Sequence, residues 1–301
     1  MDWFAPIDPA KKTSEFIAVE SKSFWRAAWG RFCKNPMAVL GLVVIIIMAL
    51  VSVFGPIFSP YAYDAQDTAN RYAGFSLEHL LGTDKFGRDI FTRLCYGGRI
   101  SLSIGFGAAV INTVLGVVIG GLCGYIGGKF DTVVMRIVDI IYAMPSMIYV
   151  ILIMMVFGSN VRSILIGICI PGWIGMARQV RSQLIALKEQ EFAMAALVIG
   201  AGDARILFRH LVINAVGPII VQVTFLVPNA IFTEAFLSFI GIGISAPMAS
   251  WGSMAQDARQ VFSMYPVQLL LPTLCICITI FALNFLGEGI GDAFNPKKSR
   301  G

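Results

Sequence analysis

The stretch from Glu191 to Asn214 reads Glu-Phe-Ala-Met-Ala-Ala-Leu-Val-Ile-Gly-Ala-Gly-Asp-Ala-Arg-Ile-Leu-Phe-Arg-His-Leu-Val-Ile-Asn, and it carries charge in an otherwise apolar second half of the chain. The good helix formers from Leu184 to Ile199 predict one helix. Gly200 predicts the end of that helix, and Asp203 is a suitable N-cap for a second helix through Arg209. The pattern predicts a helix–turn–helix segment, although spacing alone favours an ordinary interhelical loop over a segment shaped to fit a groove on another protein.

The composition places this segment in a membrane protein. The 301 residues are 57% hydrophobic and only 14% charged, with a mean hydropathy of +0.76. A soluble domain carries about 25% charged residues. The net charge of +5 is therefore no sign of nucleic-acid binding. The six cysteines show no metal or redox spacing, which predicts a structural, reduced role for them.

Apolar runs predict six membrane-spanning helices and an all-α integral membrane fold. The first run has 22 uncharged residues, enough to cross ~30 Å of hydrocarbon. The fourth is short and contains Pro171-Gly172. The predicted spans are Met37–Phe58, Ile100–Gly128, Ile140–Phe157, Ser163–Ala177, Ala215–Ile240 and Val267–Gly287, with Lys129 and Arg136 in a short return loop between the second and third.

The distribution of Lys and Arg predicts the orientation. With the N-terminus inside, the cytoplasmic segments hold 16 of the 23 Lys and Arg residues and the external segments hold 6, with Arg99 at a boundary. Because cytoplasmic loops are enriched in positive charge, both termini are expected inside. The predicted parts are a cytoplasmic segment 1–35 with an amphipathic surface helix in Ser23–Lys34, a first span and external loop 36–98, a transmembrane domain 99–290 with a cytoplasmic loop 181–213, and a cytoplasmic tail 291–301.

The second span carries small or polar residues at every fourth position. Such a stripe allows another helix to approach closely. It is equally compatible with a helix that packs or slides at a subunit interface and with tight packing inside the chain's own bundle. The stripe consists of Ala108, Asn112, Gly116, Gly120, Gly124 and Gly128.

Glu234 is the one acidic residue clearly within a span. A carboxylate inside a membrane helix is a candidate for the translocation path. The alternative, which the sequence favours, is a structural pair with a hydroxyl such as that of Thr233 or with a group on a neighbouring helix.

The sequence lacks a recognisable catalytic or ATP-binding motif. His79 and His210 are expected on opposite sides of the membrane, which argues against a histidine-ligated metal centre. The stretch Gly124-Tyr-Ile-Gly-Gly-Lys-Phe fails as a phosphate-binding loop because its first glycine is displaced and Phe130 replaces the required Ser or Thr. A non-enzymatic protein without a cofactor is expected, and any energy for uphill transport must come from elsewhere.

The segment around Gly200 resembles the EAA loop of permease subunits in binding-protein-dependent ABC importers. Ala195, Ala196 and Gly200 match that pattern, whereas Met194 stands at the usual Glu position and Ile213 at the usual Pro position. Other stretches also resemble the C-type permeases of the oligopeptide/dipeptide/nickel importer family, and the likeness covers about residues 22–296. These stretches are Leu81–Ile90, Tyr96–Leu102, Phe236–Ile244, Ser250–Met254 and Ala282–Pro296.

The resemblance implies a type I ABC importer permease in a bacterial or archaeal plasma membrane. The partners it implies are a B-type permease subunit, two cytoplasmic ATPase subunits that hold ATP and Mg, an external solute-binding protein, a peptide substrate and membrane lipid. Nickel chelates, glutathione and opines are alternative substrates. A stand-alone secondary transporter and an intramembrane enzyme remain the other classes. The residues implied to couple to the ATPases are Glu191, Ala195, Ala196, Gly200, Asp203, Arg205 and Arg209.

Overall fold

A computed structural model describes residues 24–294, so the expected N-terminal segment before residue 24 and the basic tail after residue 294 lie outside the described residues. Within this range the regular structure is helical, apart from one isolated bridge between Thr83 and Asp89. The α-helices are α1 Phe24–Phe32, α2 Pro36–Phe54, α3 Ile90–Ile126, α4 Gly128–Tyr142, α5 Ser146–Phe157, α6 Val161–Gly172, α7 Ile174–Lys188, α8 Glu191–Val198, α9 Asp203–Arg205, α10 Val216–Phe239, α11 Trp251–Arg259 and α12 Pro266–Phe294.

The described helices provide six candidate membrane spans, as predicted, when one bent pair of helices is counted as a single span. Five stretches are long and apolar enough to cross by themselves, and α4 with α5 forms the remaining candidate, bent by 79°. Pro145 precedes α5 and has no N–H for a continuous helix, which explains the bend. The five unbroken spans are Pro36–Ile57, Ile90–Ile126, Val161–Lys188, Val216–Phe239 and Pro266–Phe294.

Two predicted boundaries were wrong. The expected return loop with Lys129 and Arg136 is helix α4, which begins immediately after a turn at Gly127, where φ is +70°. The fourth span does not stop at Ala177, because α7 continues to Lys188. The cytoplasmic loop 181–213 remains a prediction, and its residues 181–188 lie in α7.

Ion pairs with α4 explain how α7 continues past its charged residues. The Arg178 guanidinium lies 2.7 Å from the Asp139 carboxylate. Arg181 donates twice to the carboxylate of Asp131, with both distances at 2.5 Å. A bidentate pair of this kind is strong and geometrically specific. The two ion pairs join the first half of α7 to α4.

The glycine stripe packs inside the chain, against α7. A Cβ added at Gly116 would meet the Met176 side chain at 2.5 Å, and one added at Gly120 would lie 2.8 Å from the Ala177 Cα. A Cβ added at Gly124 would lie 2.9 Å from the Arg181 carbonyl oxygen and 3.0 Å from the Leu184 Cβ. For these three glycines the structure therefore agrees with packing within the bundle.

The close contact of Gly116, Gly120 and Gly124 with α7 is termed here the α3–α7 seam. It predicts opposite effects for substitutions at two adjacent glycines. Gly120→Ala should lower the apparent melting temperature of the purified protein, since overpacking a tight contact costs about 1–3 kcal/mol. Gly121→Ala is the control, because its Cβ would meet only side-chain atoms of Leu207 and Leu184 at 3.7 and 3.8 Å. It should leave the melting temperature unchanged or raise it, since Ala exceeds Gly in a helix by about 0.5–1 kcal/mol. Equal melting of the two variants would contradict a tight seam.

The N-terminal helix α1 packs against the end of α12. Ala28 and Phe32 are buried, and Phe32 joins Ala38 and Ala293 in one apolar cluster. Trp25 and Trp29 remain 58% and 61% exposed. A helix with buried small and aromatic residues on one side and exposed tryptophans on the other fits the expected amphipathic surface helix.

Candidate functional site

The segment between α7 and α10 folds as a helix–turn–helix, with a break that the sequence analysis missed. The predicted single helix Leu184–Ile199 is two helices, because α7 ends at Lys188 and α8 begins at Glu191. The predicted stop at Gly200 is confirmed, with φ at +79°. The N–H of Ala201 donates to the carbonyl of Ala196 and that of Gly200 to Leu197, both at 3.0 Å. This is the Schellman arrangement that favours glycine after a helix end.

Asp203 does not cap the second helix as predicted. The N-cap is Gly202, with no side-chain hydrogen bond. The Asp203 carboxylate instead accepts a hydrogen bond of 2.6 Å from the Tyr125 hydroxyl at the end of α3, and the Lys188 ammonium donates to the Tyr125 carbonyl at 2.7 Å. Tyr125, at the end of α3, thus contacts the chain both before residues 191–212, at Lys188, and within them, at Asp203. Beyond the single turn of α9 the chain continues as a π-helix over Ile206–Val212.

One face of residues 191–212, termed here the 191–212 segment, packs on the chain's own α7. Ala193 and Ala196 are 5% and 4% exposed. They join Ile206, Leu207 and Leu211 in a cluster with Val180 and Leu184 of α7, which continues to Ile219 of α10. The small side chain of Ala196 therefore serves internal packing, whereas the other six predicted coupling residues, Glu191, Ala195, Gly200, Asp203, Arg205 and Arg209, are exposed.

The opposite face of the same segment is an exposed apolar patch that the sequence analysis missed. Val198 and Ile199 are 83% and 82% exposed. The segment lies between two spans, so this surface is not explained by contact with the hydrocarbon core. Several large apolar side chains exposed on one short segment are typical of an interaction site. The patch, with charged Glu191, Arg205 and Arg209 beside it, consists of Met194, Leu197, Val198, Ile199 and Phe208.

Glu234 lies in a closed polar cluster, with no exposed surface. Its carboxyl oxygens accept hydrogen bonds from the hydroxyls of Ser101 on α3, at 2.9 Å, and Ser238 on α10, at 2.8 Å. The Thr233 hydroxyl bonds to its own helix at the Asn229 carbonyl. The geometry favours the structural pairing that the sequence offered, with Ser101 and Ser238 as partners in place of Thr233.

The same cluster attaches helix α11 to the long helices α3 and α10. The Trp251 N–H lies 3.4 Å from the Ser101 hydroxyl oxygen, and the indole N–H donates to the Leu94 carbonyl at 2.9 Å. Gly252 leaves room for this approach, since its Cβ would lie 2.7 Å from the Cα of Ala235. The Ser-Trp-Gly stretch thus enters the junction of α3 and α10.

Removing the Glu234 carboxyl should destabilise the protein. Glu234→Ala leaves the Ser101 and Ser238 hydroxyls short of a partner, at about 1–3 kcal/mol for each unsatisfied buried group. Thr273→Ala is the control, because that exposed hydroxyl bonds only within its own helix, to Leu269. The apparent melting temperature should fall clearly for Glu234→Ala, less for Glu234→Gln, and little for Thr273→Ala. Similar melting of all three would show that the cluster contributes nothing to stability.

A cavity of about 370 Å³ lies between α3, α10 and the two helix junctions α4/α5 and α6/α7. Its polar lining includes Asn112, Asn229 and Thr233, none of which the sequence analysis assigned to a path for solute. Glu234 does not line it. The residues around it come from distant parts of the chain: Asn112, Tyr142, Met144, Pro145, Ser146, Val150, Ile168, Pro171, Gly172, Leu226, Asn229, Ala230 and Thr233.

Comparison with known proteins decides the family. Residues 116–300 match the model of the binding-protein-dependent transport system inner membrane component. The chain belongs to this family. Residues 23–74 also match the N-terminal TM domain of oligopeptide transport permease C. The protein is therefore a multi-pass inner-membrane permease subunit of an ABC importer, and it is non-catalytic like its family.

Individual relatives extend over nearly the whole chain. The oligopeptide transport system permease protein OppC of Bacillus subtilis (strain 168) is 45% identical, over 98% of this chain and 96% of its own length. The dipeptide transport system permease protein DppC of the same organism is 40% identical, over 99% and 94%. OppC of Escherichia coli (strain K12) is 41% identical, over 94% and 95%.

A solved structure has the same fold. A chain of the MetNI methionine ABC transporter, in an inward-facing conformation, superposes with a TM-score of 0.54 at 18% identity. The match covers 66% of this chain and 94% of that chain. At this identity the likeness bears on the fold, which is that of a type I importer permease.

Proposed function

We propose that this permease subunit forms half of the translocation pore of an ATP-driven peptide importer. Support for a peptide substrate comes from relatives of 40 to 45% identity that carry the names of oligopeptide and dipeptide permeases. The expected orientation puts both termini and the 191–212 segment in the cytoplasm. A B-type permease would complete the pore, two ATPase subunits would hold ATP and Mg, and an external binding protein would deliver the peptide.

The exposed apolar patch of the 191–212 segment carries the proposal for coupling. An ATPase subunit that covered Val198 and Ile199 would bury side chains that are more than four-fifths exposed in this chain. Exposed Glu191, Arg205 and Arg209 would form the polar rim that surrounds a buried interface core. Ala193 and Ala196, on the buried side of the same segment, pack in one apolar cluster with Val180 and Leu184 of α7. A displacement of the segment would therefore press on α7.

Acidic substitutions in the patch should detach the ATPases. Burial of each wild-type side chain in the interface would stabilise the complex by about 1.5–3 kcal/mol. Val198→Asp and Ile199→Asp would lose this and place a charge in the interface, so the affinity for the ATPase subunits should fall about tenfold to a hundredfold. The measurement is the amount of ATPase subunit that co-purifies in mild detergent. Leu77→Asp is the control, since Leu77 is 98% exposed but lies on the expected external side. Equal retention of ATPase by all three variants would remove the patch from the interface.

The peptide substrate is tested by uptake into proteoliposomes that contain the complete importer. Labelled tri-alanine should accumulate only with ATP inside and the binding protein outside. Glutathione, a nickel chelate and an opine are the competitors that represent the alternative substrates. Accumulation of one of these without accumulation of peptide would reassign the substrate, while the ABC permease assignment would stand.

A further inference from the structure

An apolar groove of about 340 Å³ lies between the N-terminal helix α1 and three long helices. Its lining includes Trp25 and Trp29 of α1, Leu42 near the beginning of α2, Ile220 near the beginning of α10 and Ile290 near the end of α12. Every described residue that lines it has an apolar or aromatic side chain. The part of an occupant that enters this groove must therefore be apolar as well.

The tryptophans of α1 indicate the depth of the groove in the membrane. Trp25 meets the Phe294 ring edge-on at 5.8 Å between ring centroids, and Trp29 stacks on Phe32 at 5.5 Å. Both tryptophans still remain more than half exposed. Tryptophan is enriched where the hydrocarbon meets the headgroups. This position, on the expected cytoplasmic side, is within reach of both the acyl chains and the headgroups of lipid molecules.

Positive charge is concentrated on the same helix and directly after it. Residues 24–35 contain Arg26, Arg31 and Lys34 and no Asp or Glu. The acidic residues nearest in the fold's sequence pattern, Glu288 and Asp292, lie towards the end of α12, so the cations of residues 24–35 outnumber them. Basic residues on an amphipathic helix beside a membrane span attract anionic lipid headgroups.

Arg31 is the cation that the protein leaves without a counter-charge. It is half-buried, and its Nε atom is buried without a hydrogen-bond partner among residues 24–294. Within that range no carboxylate lies at ion-pair distance from its guanidinium. Partial burial of an unpaired cation costs free energy. An anion from outside the chain would remove this cost, and guanidinium groups bind phosphate in a bidentate geometry.

Arg31 also lies at the edge of the groove. It follows Ala28 by three residues and immediately precedes Phe32, and both of these line the groove. Residues three apart are neighbours on the surface of a helix. A single molecule with an apolar chain and a negatively charged head can therefore occupy the groove and contact Arg31 together.

We propose that this groove binds an anionic phospholipid of the cytoplasmic leaflet. One acyl chain lies in the apolar groove, and the headgroup phosphate binds the accessible end of the Arg31 guanidinium. Arg26 and Lys34 add electrostatic attraction. A zwitterionic lipid has the same acyl chain, but its ammonium group offsets the phosphate charge. The site therefore selects anionic over zwitterionic lipid, and the bound lipid joins α1 to α2, α10 and α12.

Photocrosslinking in the native complex tests this site. The complex is placed in phosphatidylcholine nanodiscs that contain a small fraction of phosphatidylglycerol with a diazirine in its acyl chain, and the labelled residues are mapped by peptide mass spectrometry. Phosphatidylcholine with the same diazirine chain is the parallel probe. The ratio of phosphatidylglycerol to phosphatidylcholine labelling should be severalfold higher at residues 24–35 and 286–294 than at Ile47 and Leu50, which are exposed on α2 outside the groove.

Substitution of Arg31 tests the headgroup contact. Arg31→Gln should lower the labelling ratio at the groove about fivefold, the contribution of one basic residue at an anionic surface. Arg31→Lys should retain most of the wild-type ratio, because it keeps the charge. Arg136→Gln is the matched control, since it removes the same charge from an exposed residue of α4 and should leave the ratio unchanged.

A second substitution tests the acyl-chain contact independently of charge. Ile220→Trp fills the groove from α10, so it should reduce groove labelling by both lipid probes. Phe232→Trp, at an exposed position of α10 outside the groove, should label like the wild type.

Three results would overturn the proposal. The first is a wild-type labelling ratio at the groove no higher than that on α2, which would mean ordinary contact with the bilayer. The second is equal ratios for Arg31→Gln and Arg136→Gln. The third is an absence of groove labelling by either probe, which would mean that protein covers the groove.

Discussion

The close approach of α3 and α7 is the contact on which the rest of the structure depends. Three glycines on α3 leave no space between the helices, so that Met176 and Ala177 of α7 lie directly on the α3 backbone. Dense packing of this kind transmits displacement, because interiors are close-packed and have little free volume. The seam also fixes the two ends of α7. One end adjoins Gly172 at the cavity, and the other packs beneath the 191–212 segment through Leu184.

The polar contacts are arranged around this seam, and each joins elements that are distant in sequence. Arg181 ties α7 to α4 through Asp131, and Tyr125 ties the end of α3 to Asp203. On the other side of the bundle, Glu234 connects α3 and α10 and reaches α11 through Ser101. Buried polar groups cost free energy unless they are hydrogen-bonded. Their complete pairing at Glu234 makes that junction specific in geometry.

The sequence was sufficient for the number of spans and for the turn at Gly200, because long apolar runs and glycine after a helix are local signals. It was insufficient for features that depend on contacts between residues far apart in the sequence. The helix was ended too early, at Ala177, because Arg178 and Arg181 close the apolar run, whereas the Asp131 carboxylate that pairs with Arg181 lies 50 residues away in the sequence. The exposed patch was missed because α8 is apolar on both faces, so periodicity does not show which face is buried. Residues from several separate helices form the cavity, which no local pattern can predict.

The position of α7 relates the proposed coupling surface to the cavity between α3 and α10. A partner that moved the 191–212 segment would move Ala193 and Ala196, and with them the side chains of α7 that they contact. α7 cannot shift alone, since the glycine seam joins it to α3 and two ion pairs join it to α4. Asn112 lies on α3 against Gly172, immediately before α7. A displacement of this unit would therefore move Asn112 and Gly172 and change the shape of the cavity that they line, while Ser101 and Glu234 hold the first part of α3 to α10.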